Sequence, residues 1–138
     1  MVKTKIAING FGRIGRSAFK IAMERSDLEV MAINDPGDTK TLAHLLKYDS
    51  NYGTYQSDVN YDEHHLIVNG QNIPVLSELE PANLPWAEMA VDVVIESTGL
   101  FTEPAKARGH IEAGAKKVVI SAPAKGDGAT TVVLGVND

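Results

Sequence analysis

The feature that most constrains this chain is a glycine-rich turn that joins an apolar strand to a helix. The stretch KIAINGFGRIGR at residues 5–16 passes through Gly10, Gly12 and Gly15 with the spacing G-x-G-x-x-G. The first glycine suits a tight turn, the second lets backbone amides approach a pyrophosphate, and the third lets the helix lie close to the strand. Because the strand and the helix are both present, the motif predicts a dinucleotide-binding turn rather than a turn that only packs a helix on a sheet.

An acidic residue follows the turn at the spacing expected of a ribose-binding group. Asp35 lies twenty residues after Gly15, at the end of the second predicted strand. Its carboxylate can accept hydrogen bonds from the ribose of a dinucleotide whose phosphates lie at the positive end of the helix. The extra phosphate of NADP would bring negative charge close to this carboxylate, and no arginine follows it within the next residues. The sequence therefore predicts NAD as the preferred cofactor.

The rest of the chain alternates strands and helices, as in an α/β protein. The predicted strands are residues 5–9, 28–34, 91–96, 117–121 and 131–134, and a loop at 124–129 precedes the last of them. The predicted helices are residues 13–24, 39–47 and a segment that begins near 102–104. Asn69-Gly70 separates two further strands, 65–68 and 71–76, and predicts an antiparallel hairpin insertion. Since crossover connections are right-handed, the pattern favours a Rossmann-type doubly wound parallel sheet.

The first two helices carry apolar side chains at helical spacing, which predicts their buried faces. We expect the inner residues to be Ile14, Ala18, Ile21 and Ala22 in the first helix, and Leu42, Leu45 and Leu46 in the second. Asp38 or Thr39 is expected to cap the second helix. On the first helix, Arg13, Arg16 and Lys20 form a basic stripe, for which a solvated face and a ligand contact both remain open.

Composition limits the chemistry of the chain. Its 138 residues suit one domain, 1–138, and include no cysteine, which excludes a thiol nucleophile, a disulfide and a thiolate metal ligand within them. Thirteen basic and eighteen acidic residues give a net charge of −5, which disfavours nonspecific binding to nucleic acid or to anionic membranes. We see no signal peptide or transmembrane segment, and we expect a cytoplasmic location.

Other groups of polar residues do not form convincing sites in the sequence. His44, His64, His65 and His110 are the candidate metal ligands, but only two are adjacent, and neighbours on a strand point to opposite faces. We expect no metal site. The acidic residues Asp58, Asp62 and Glu63 fit a solvated hairpin edge. Ser97 and Ser121 lack the context of a nucleophile elbow, so we expect no catalytic residue among them.

Seven segments of the sequence resemble the glyceraldehyde-3-phosphate dehydrogenase family. In chain order they are IAINGFGRIGR, NDP, HLLKYDS, NLPW, ESTGLF, KKVVISAPAK and LGVND. The resemblance implies the N-terminal NAD-binding domain of such an enzyme, whose parent reaction is the NAD-dependent oxidative phosphorylation of glyceraldehyde 3-phosphate in glycolysis.

The resemblance also implies which residues contact the cofactor. The backbone at Arg13 and Ile14 meets the pyrophosphate, Leu79 contacts the adenine end, and Ser121 lies toward the nicotinamide. Leu79 departs from the family, which often has arginine there, so this contact survives only if the main chain makes it. The full set of predicted cofactor-binding residues is Asn9, Gly10, Gly12, Arg13, Ile14, Gly15, Asn34, Asp35, Leu79, Thr98, Gly99, Phe101 and Ser121.

The family's catalytic cysteine and histidine would lie beyond the residues of this chain, so we expect an enzyme fragment without the catalytic domain. Such a chain should bind NAD without turnover. One alternative is a stand-alone module that binds NAD or another adenine nucleotide without catalysis. A third hypothesis is an assembly role, because the resemblance implies a homo-oligomer or a catalytic domain as partner.

Overall fold

The computed structural model describes residues 2–49, 53–100 and 104–121, which contain nine strands and four helices. The strands are β1 (Thr4–Asn9), β2 (Leu28–Asn34), β3 (Tyr48–Asp49), β4 (Gly53–Thr54), β5 (Val59–Tyr61), β6 (His65–Val68), β7 (Gln71–Leu76), β8 (Val93–Glu96) and β9 (Lys117–Ile120). The helices are α1 (Arg13–Glu24), α2 (Thr39–Lys47), α3 (Pro104–Ala107) and α4 (Gly109–Glu112), and a 3-10 turn spans Pro81–Asn83. The predictions at residues 101–103, 124–129 and 131–134 lie outside the described residues.

Seven strands form one sheet in the order β5-β6-β7-β2-β1-β8-β9. The five strands from β7 to β9 in this order are parallel, whereas β5 and β6 are antiparallel to their neighbours. This arrangement confirms the predicted α/β class with a Rossmann-type parallel sheet and an antiparallel hairpin. The hairpin strand β7 also pairs in parallel with β2, through Ile33–Val75 and Asn34–Leu76, so it serves as the third parallel strand.

The turn of this hairpin has the backbone that its sequence predicts. Asn69 and Gly70 both have positive φ, at 51° and 79°. Two consecutive left-handed residues match the right-handed twist of the flanking strands, and Asn-Gly adopts them at low cost. The separate pair β3 and β4 forms a second, two-stranded antiparallel sheet.

Apolar clusters cover both faces of the sheet. One contains Ile6 and Ile8 of β1 with Phe19 of α1 and Leu46 of α2. The other contains Ala7 of β1 with Trp86, Val91, Val94 and Ala113. Because successive residues of a strand point to opposite faces, β1 contributes to both clusters. Within residues 2–49, 53–100 and 104–121, no helix is long and apolar enough to cross a membrane.

The buried face of α1 agrees with the prediction at Ala22 and differs from it at Ile14 and Ile21. Gly15, Phe19 and Ala22 are buried, whereas Ile14 and Ile21 are 57% and 61% exposed. The reason is the close contact of Gly15 with the turn, which fixes the rotation of the helix about its axis. Each residue advances about 100° around a helix. When Gly15 and Phe19 face the sheet, Ile14 and Ile21 therefore point away from it.

The second helix follows the prediction more closely. Leu42 and Leu46 are buried, but Leu45 is 38% exposed and lies at the border of the inner face. Asp38 is the cap, because its carboxylate accepts a hydrogen bond of 2.7 Å from the backbone N–H of Thr41. The Thr39 hydroxyl instead donates to the carbonyl oxygen of Asp62, at 2.6 Å.

Candidate functional site

The predicted site residues within the described part of the chain lie at one edge of the sheet, where the five parallel strands end. β7 is followed by Leu79, β2 by Asp35, β1 by the turn through Gly10, β8 by Thr98, and β9 by Ser121. In doubly wound sheets, ligands bind at this carboxyl edge, beside the neighbouring strands whose connections leave in opposite directions. Here those strands are β1 and β8. Phe101 lies outside the described residues.

The three glycines of the turn have different surroundings. Gly10 has a φ of +93°, and a Cβ on it would lie 2.8 Å from the backbone nitrogen of Thr98. A Cβ on Gly15 would clash with the carbonyl oxygen of Gly10. In contrast, a Cβ on Gly12 would meet no atom of the described residues within 4 Å. The first and third glycines are therefore required by the fold, whereas the second leaves a space that a ligand can fill.

Helix α1 begins at this open space without a side-chain cap. Its N-cap residue is Gly12, and its first turn contains no acidic residue. The backbone N–H groups of the first turn have no partner within a helix, and the helix dipole adds partial positive charge there. By comparison, α2 is capped by Asp38. The start of α1 therefore fits a pyrophosphate, which would accept hydrogen bonds from these amides.

Asp35 is held against the glycine turn. Its Oδ2 atom accepts a hydrogen bond from the backbone N–H of Phe11, and its Oδ1 atom accepts one from Gly37, both at 2.8 Å. The N–H of Gly10 also donates to the carbonyl oxygen of Asn34, at 2.8 Å. A carboxylate offers about four acceptor positions, so half of them remain for ribose hydroxyls. The geometry is compatible with the ribose contact that the sequence predicts.

The three side chains of the basic stripe on α1 lie in different environments. The guanidinium of Arg16 donates to the carbonyl oxygen of Phe11, at 3.1 Å, and so supports the turn. The ammonium group of Lys20 lies 5.2 Å from the ring centroid of Tyr55. Arg13 is exposed at the first position of the helix. Arg13 is therefore the member of the stripe best placed for a ligand contact at the start of α1.

A buried polar cluster that the sequence does not predict lies beneath this edge. Glu96 and His110 are 2% and 0% exposed, and Glu96 Oε2 lies 2.6 Å from His110 Nε2. The indole N–H of Trp86 donates to His110 Nδ1, at 3.0 Å. Because an indole N–H only donates, Nδ1 must accept, and the imidazole proton resides on Nε2. The pair is therefore a neutral imidazole that donates to an ionised carboxylate.

Two asparagines extend this cluster across the sheet. The Asn9 amide nitrogen donates to Glu96 Oε2, and the Asn34 amide nitrogen donates to Asn9 Oδ1, both at 2.7 Å. Asn34 also bonds the backbone N–H and carbonyl of Glu78, at 2.8 and 2.9 Å. Asn9 and Asn34 belong to the predicted cofactor-binding set, and the structure places both below the surface of the site, bonded to other protein groups.

The one sequence signal for this cluster is the position of Glu96. It ends an apolar strand, VVIE, where a carboxylate would be buried and would need donors. The sequence presents His110 only as a candidate metal ligand. In the part of the chain that the structure describes, no group of three or more His, Asp or Glu side chains could hold a metal ion.

The protonation of Glu96 depends on these donors. Burial raises the pKa of its carboxyl group, but hydrogen bonds from His110, Thr98 and Asn9 outweigh burial, and the net pKa is lowered. The folded protein therefore holds Glu96 ionised more firmly than the unfolded chain does. This contribution to stability is present above the unfolded pKa and is lost as the pH falls through the lower folded pKa.

Glu96→Gln is expected to lower the free energy of unfolding and to make this free energy depend less on pH. The new amide nitrogen would face two donors, on Asn9 and His110, at a cost of about 1–3 kcal/mol at pH 7. The difference from the wild type should shrink as the pH falls, because the wild type progressively loses the contribution of the ionised carboxylate below its unfolded pKa. Urea unfolding from pH 7 to pH 3 measures both effects. Asp27→Asn is the control, since its ion pair with Arg25 is exposed and contributes little. A difference that stays constant with pH contradicts the prediction.

Comparison with known proteins agrees with the geometry of the site. A family model described as "Glyceraldehyde 3-phosphate dehydrogenase, NAD binding domain" matches residues 4–104. The chain is 54% identical over 134 residues to glyceraldehyde-3-phosphate dehydrogenase 1 of Bacillus cereus. It is 56% identical over 136 residues to the glyceraldehyde-3-phosphate dehydrogenase of Thermotoga maritima. Each alignment covers 97% of this chain and 40% of the relative, so the chain spans about two fifths of the length of these relatives.

Proposed function

Because the chain belongs to the family of NAD-binding domains of glyceraldehyde-3-phosphate dehydrogenase, we propose that it holds NAD at the carboxyl edge of its sheet. NAD is the cofactor of this domain family. The observation that carries the proposal is the open space at Gly12, beside the uncapped start of α1. An ordinary packing turn has no need of such a space, whereas a pyrophosphate does.

In the proposed complex, each end of the dinucleotide contacts a different part of the edge. The pyrophosphate lies against Gly12 and the first amides of α1, and Asp35 accepts hydrogen bonds from the adenosine ribose. Leu79 is 82% exposed, so its side chain is free to cover one face of the adenine ring. Thr98 and Gly99 border the pyrophosphate side, and Ser121 follows β9 on the nicotinamide side. For Phe101, the adenine-side contact is proposed from the resemblance alone.

The chemistry proposed for the whole enzyme needs a group that this chain does not provide. Oxidation of an aldehyde through a thioester begins with attack of a thiolate on the carbonyl, and bound NAD accepts the hydride. None of the 138 residues is a cysteine. We therefore propose that residues 1–138 are one NAD-binding domain, and that by themselves they bind the cofactor without turnover.

The proposal includes a cytoplasmic location and a protein partner. The net charge of −5 supports partners other than nucleic acid or anionic membrane surfaces. The exposed side chains of Ile21 and Val119, at 61% and 54%, support contact with protein, either a second copy or a catalytic domain.

The isolated chain is expected to bind one NAD per molecule and to show no dehydrogenase activity. Calorimetric titration measures the binding, and absorbance of NADH measures turnover with glyceraldehyde 3-phosphate, phosphate and NAD. NADH formation by the pure chain would overturn the proposed division of roles. Titration with ADP tests the alternative function, because a general adenine-nucleotide module should bind ADP as tightly as NAD.

A further inference from the structure

We propose that His110, which lies outside the predicted NAD site, positions the turn at residues 98–100 by holding the carboxylate of Glu96. This inference rests on the proposed function, since the turn borders the proposed pyrophosphate position. The contacts form a continuous path. His110 Nε2 donates to Glu96 Oε2 at 2.6 Å, and Glu96 Oε1 accepts from the Thr98 hydroxyl and backbone N–H, at 2.6 and 3.1 Å.

The turn lies directly against the glycine turn of the site. A Cβ on Gly10 would be 2.8 Å from the backbone nitrogen of Thr98. The hydroxyl of Ser97 lies 2.7 Å from the carbonyl oxygen of Gly10, to which it donates. Thr98 Oγ1 also accepts a hydrogen bond from the backbone N–H of Leu100, at 3.0 Å, and closes the turn. A displacement of Thr98 therefore changes the wall of the proposed pyrophosphate position.

The orientation of the Glu96 carboxylate depends on the hydrogen bonds that its two oxygens accept. One oxygen faces the turn, and the other faces His110 on α4 and the amide of Asn9. The imidazole is itself fixed by the hydrogen bond from Trp86 and by complete burial. Loss of the His110 donor would leave one carboxylate oxygen with fewer donors in a buried site, and the carboxylate would rotate toward other donors. The bonds to Thr98 would then weaken.

The Thr98 hydroxyl has no proton left for a ligand. A hydroxyl carries a single donor hydrogen, and this one is given to Glu96. Since a pyrophosphate accepts hydrogen bonds and does not donate them, the effect of removing the hydroxyl on NAD binding reports on the position of the turn.

Two substitutions of His110 separate the donor from the acceptor. His110→Gln places its amide near Nε2, where it can still donate to Glu96. His110→Asn places its amide near Nδ1, where it can still accept from Trp86 but no longer reaches Glu96. Each variant loses one buried hydrogen bond, so their unfolding free energies should fall by similar amounts. The Kd for NAD should rise about tenfold in His110→Asn, which is equivalent to about 1.4 kcal/mol. In His110→Gln, the Kd should stay within about threefold of the wild-type value. A purely structural role predicts equal Kd values, and that result would overturn the proposal.

A second pair of variants keeps the test informative if His110→Asn does not fold. Thr98 is only half-buried and lies on a turn, so the fold should tolerate substitution there. Thr98→Val removes the hydroxyl at constant shape, and Thr98→Ser retains it. We expect about tenfold weaker NAD binding for the first and near wild-type binding for the second. Equal binding by these two variants would overturn the inference, while NAD binding by the wild type would leave the proposed function standing. A wild type that does not bind NAD would overturn both.

Discussion

Gly12→Val is expected to abolish measurable NAD binding while the protein remains folded. A valine Cβ at this position meets no described atom within 4 Å, and the φ of −80° is accessible to any residue. The unfolding free energy should therefore change by less than about 1 kcal/mol, mainly through the poorer helix cap. The branched side chain would occupy the space proposed for the pyrophosphate, and we expect the Kd for NAD to rise at least about hundredfold. Calorimetric titration and urea unfolding measure the two effects.

Gly15→Ala is the matched variant, because its expected effects are the reverse. The added methyl group would clash with the carbonyl oxygen of Gly10, a backbone atom that cannot move without shifting β1 or α1. We expect a loss of about 3 kcal/mol or more in unfolding free energy, at the upper end of the range for overpacking. A Gly12→Val protein that binds NAD like the wild type would show that the site lies elsewhere. A Gly15→Ala protein of wild-type stability would show that the helix can move away from the strand.

Local features of the fold could be predicted from the sequence because their causes are local. The bounds of α1, β2, α2 and both hairpin strands agree with the predicted ranges. Asn69-Gly70 determines the backbone conformation of its turn, and Asp38 caps the helix that follows it. The separate roles of Gly10 and Gly15 also followed from the spacing, since that spacing encodes a strand, a tight turn and a helix in contact.

Features set by contacts between distant segments could not be predicted. The exposure of Ile14 and Ile21 follows from the rotation of α1, which its contact with the turn determines. The hydrogen bonds of His110 join it to Glu96 and Trp86, which are 14 and 24 residues away along the chain. No periodicity in the sequence indicates such a meeting. For the candidate site, the sequence therefore predicts residues at the carboxyl edge of the sheet, but it does not predict the buried hydrogen bonds that join Glu96 to His110 beneath them.

The wild-type chain is expected to prefer NAD over NADP by about tenfold to hundredfold, because of Asp35. The hydrogen bonds from Phe11 and Gly37 hold this carboxylate beside the turn, where the ribose phosphate of NADP would approach it. Two negative charges a few ångströms apart near a surface repel by about a few kcal/mol at most. Lys40 is the nearest cation along the chain and can reduce the preference without reversing it.

Asp35→Asn and Asp35→Ser separate the charge of this residue from its hydrogen bonds. Asparagine removes the charge and keeps one acceptor for the turn, so its main effect should be a narrower gap between NAD and NADP. Serine also removes the bonds that hold the turn, so it should weaken NAD binding in addition. Asp38→Asn is the control, because asparagine also caps helices well and this side chain is committed to Thr41. Titrations with both cofactors should be made at low salt, where repulsion is least screened. Equal binding of NAD and NADP by the wild type under these conditions would mean that Asp35 does not face the ribose.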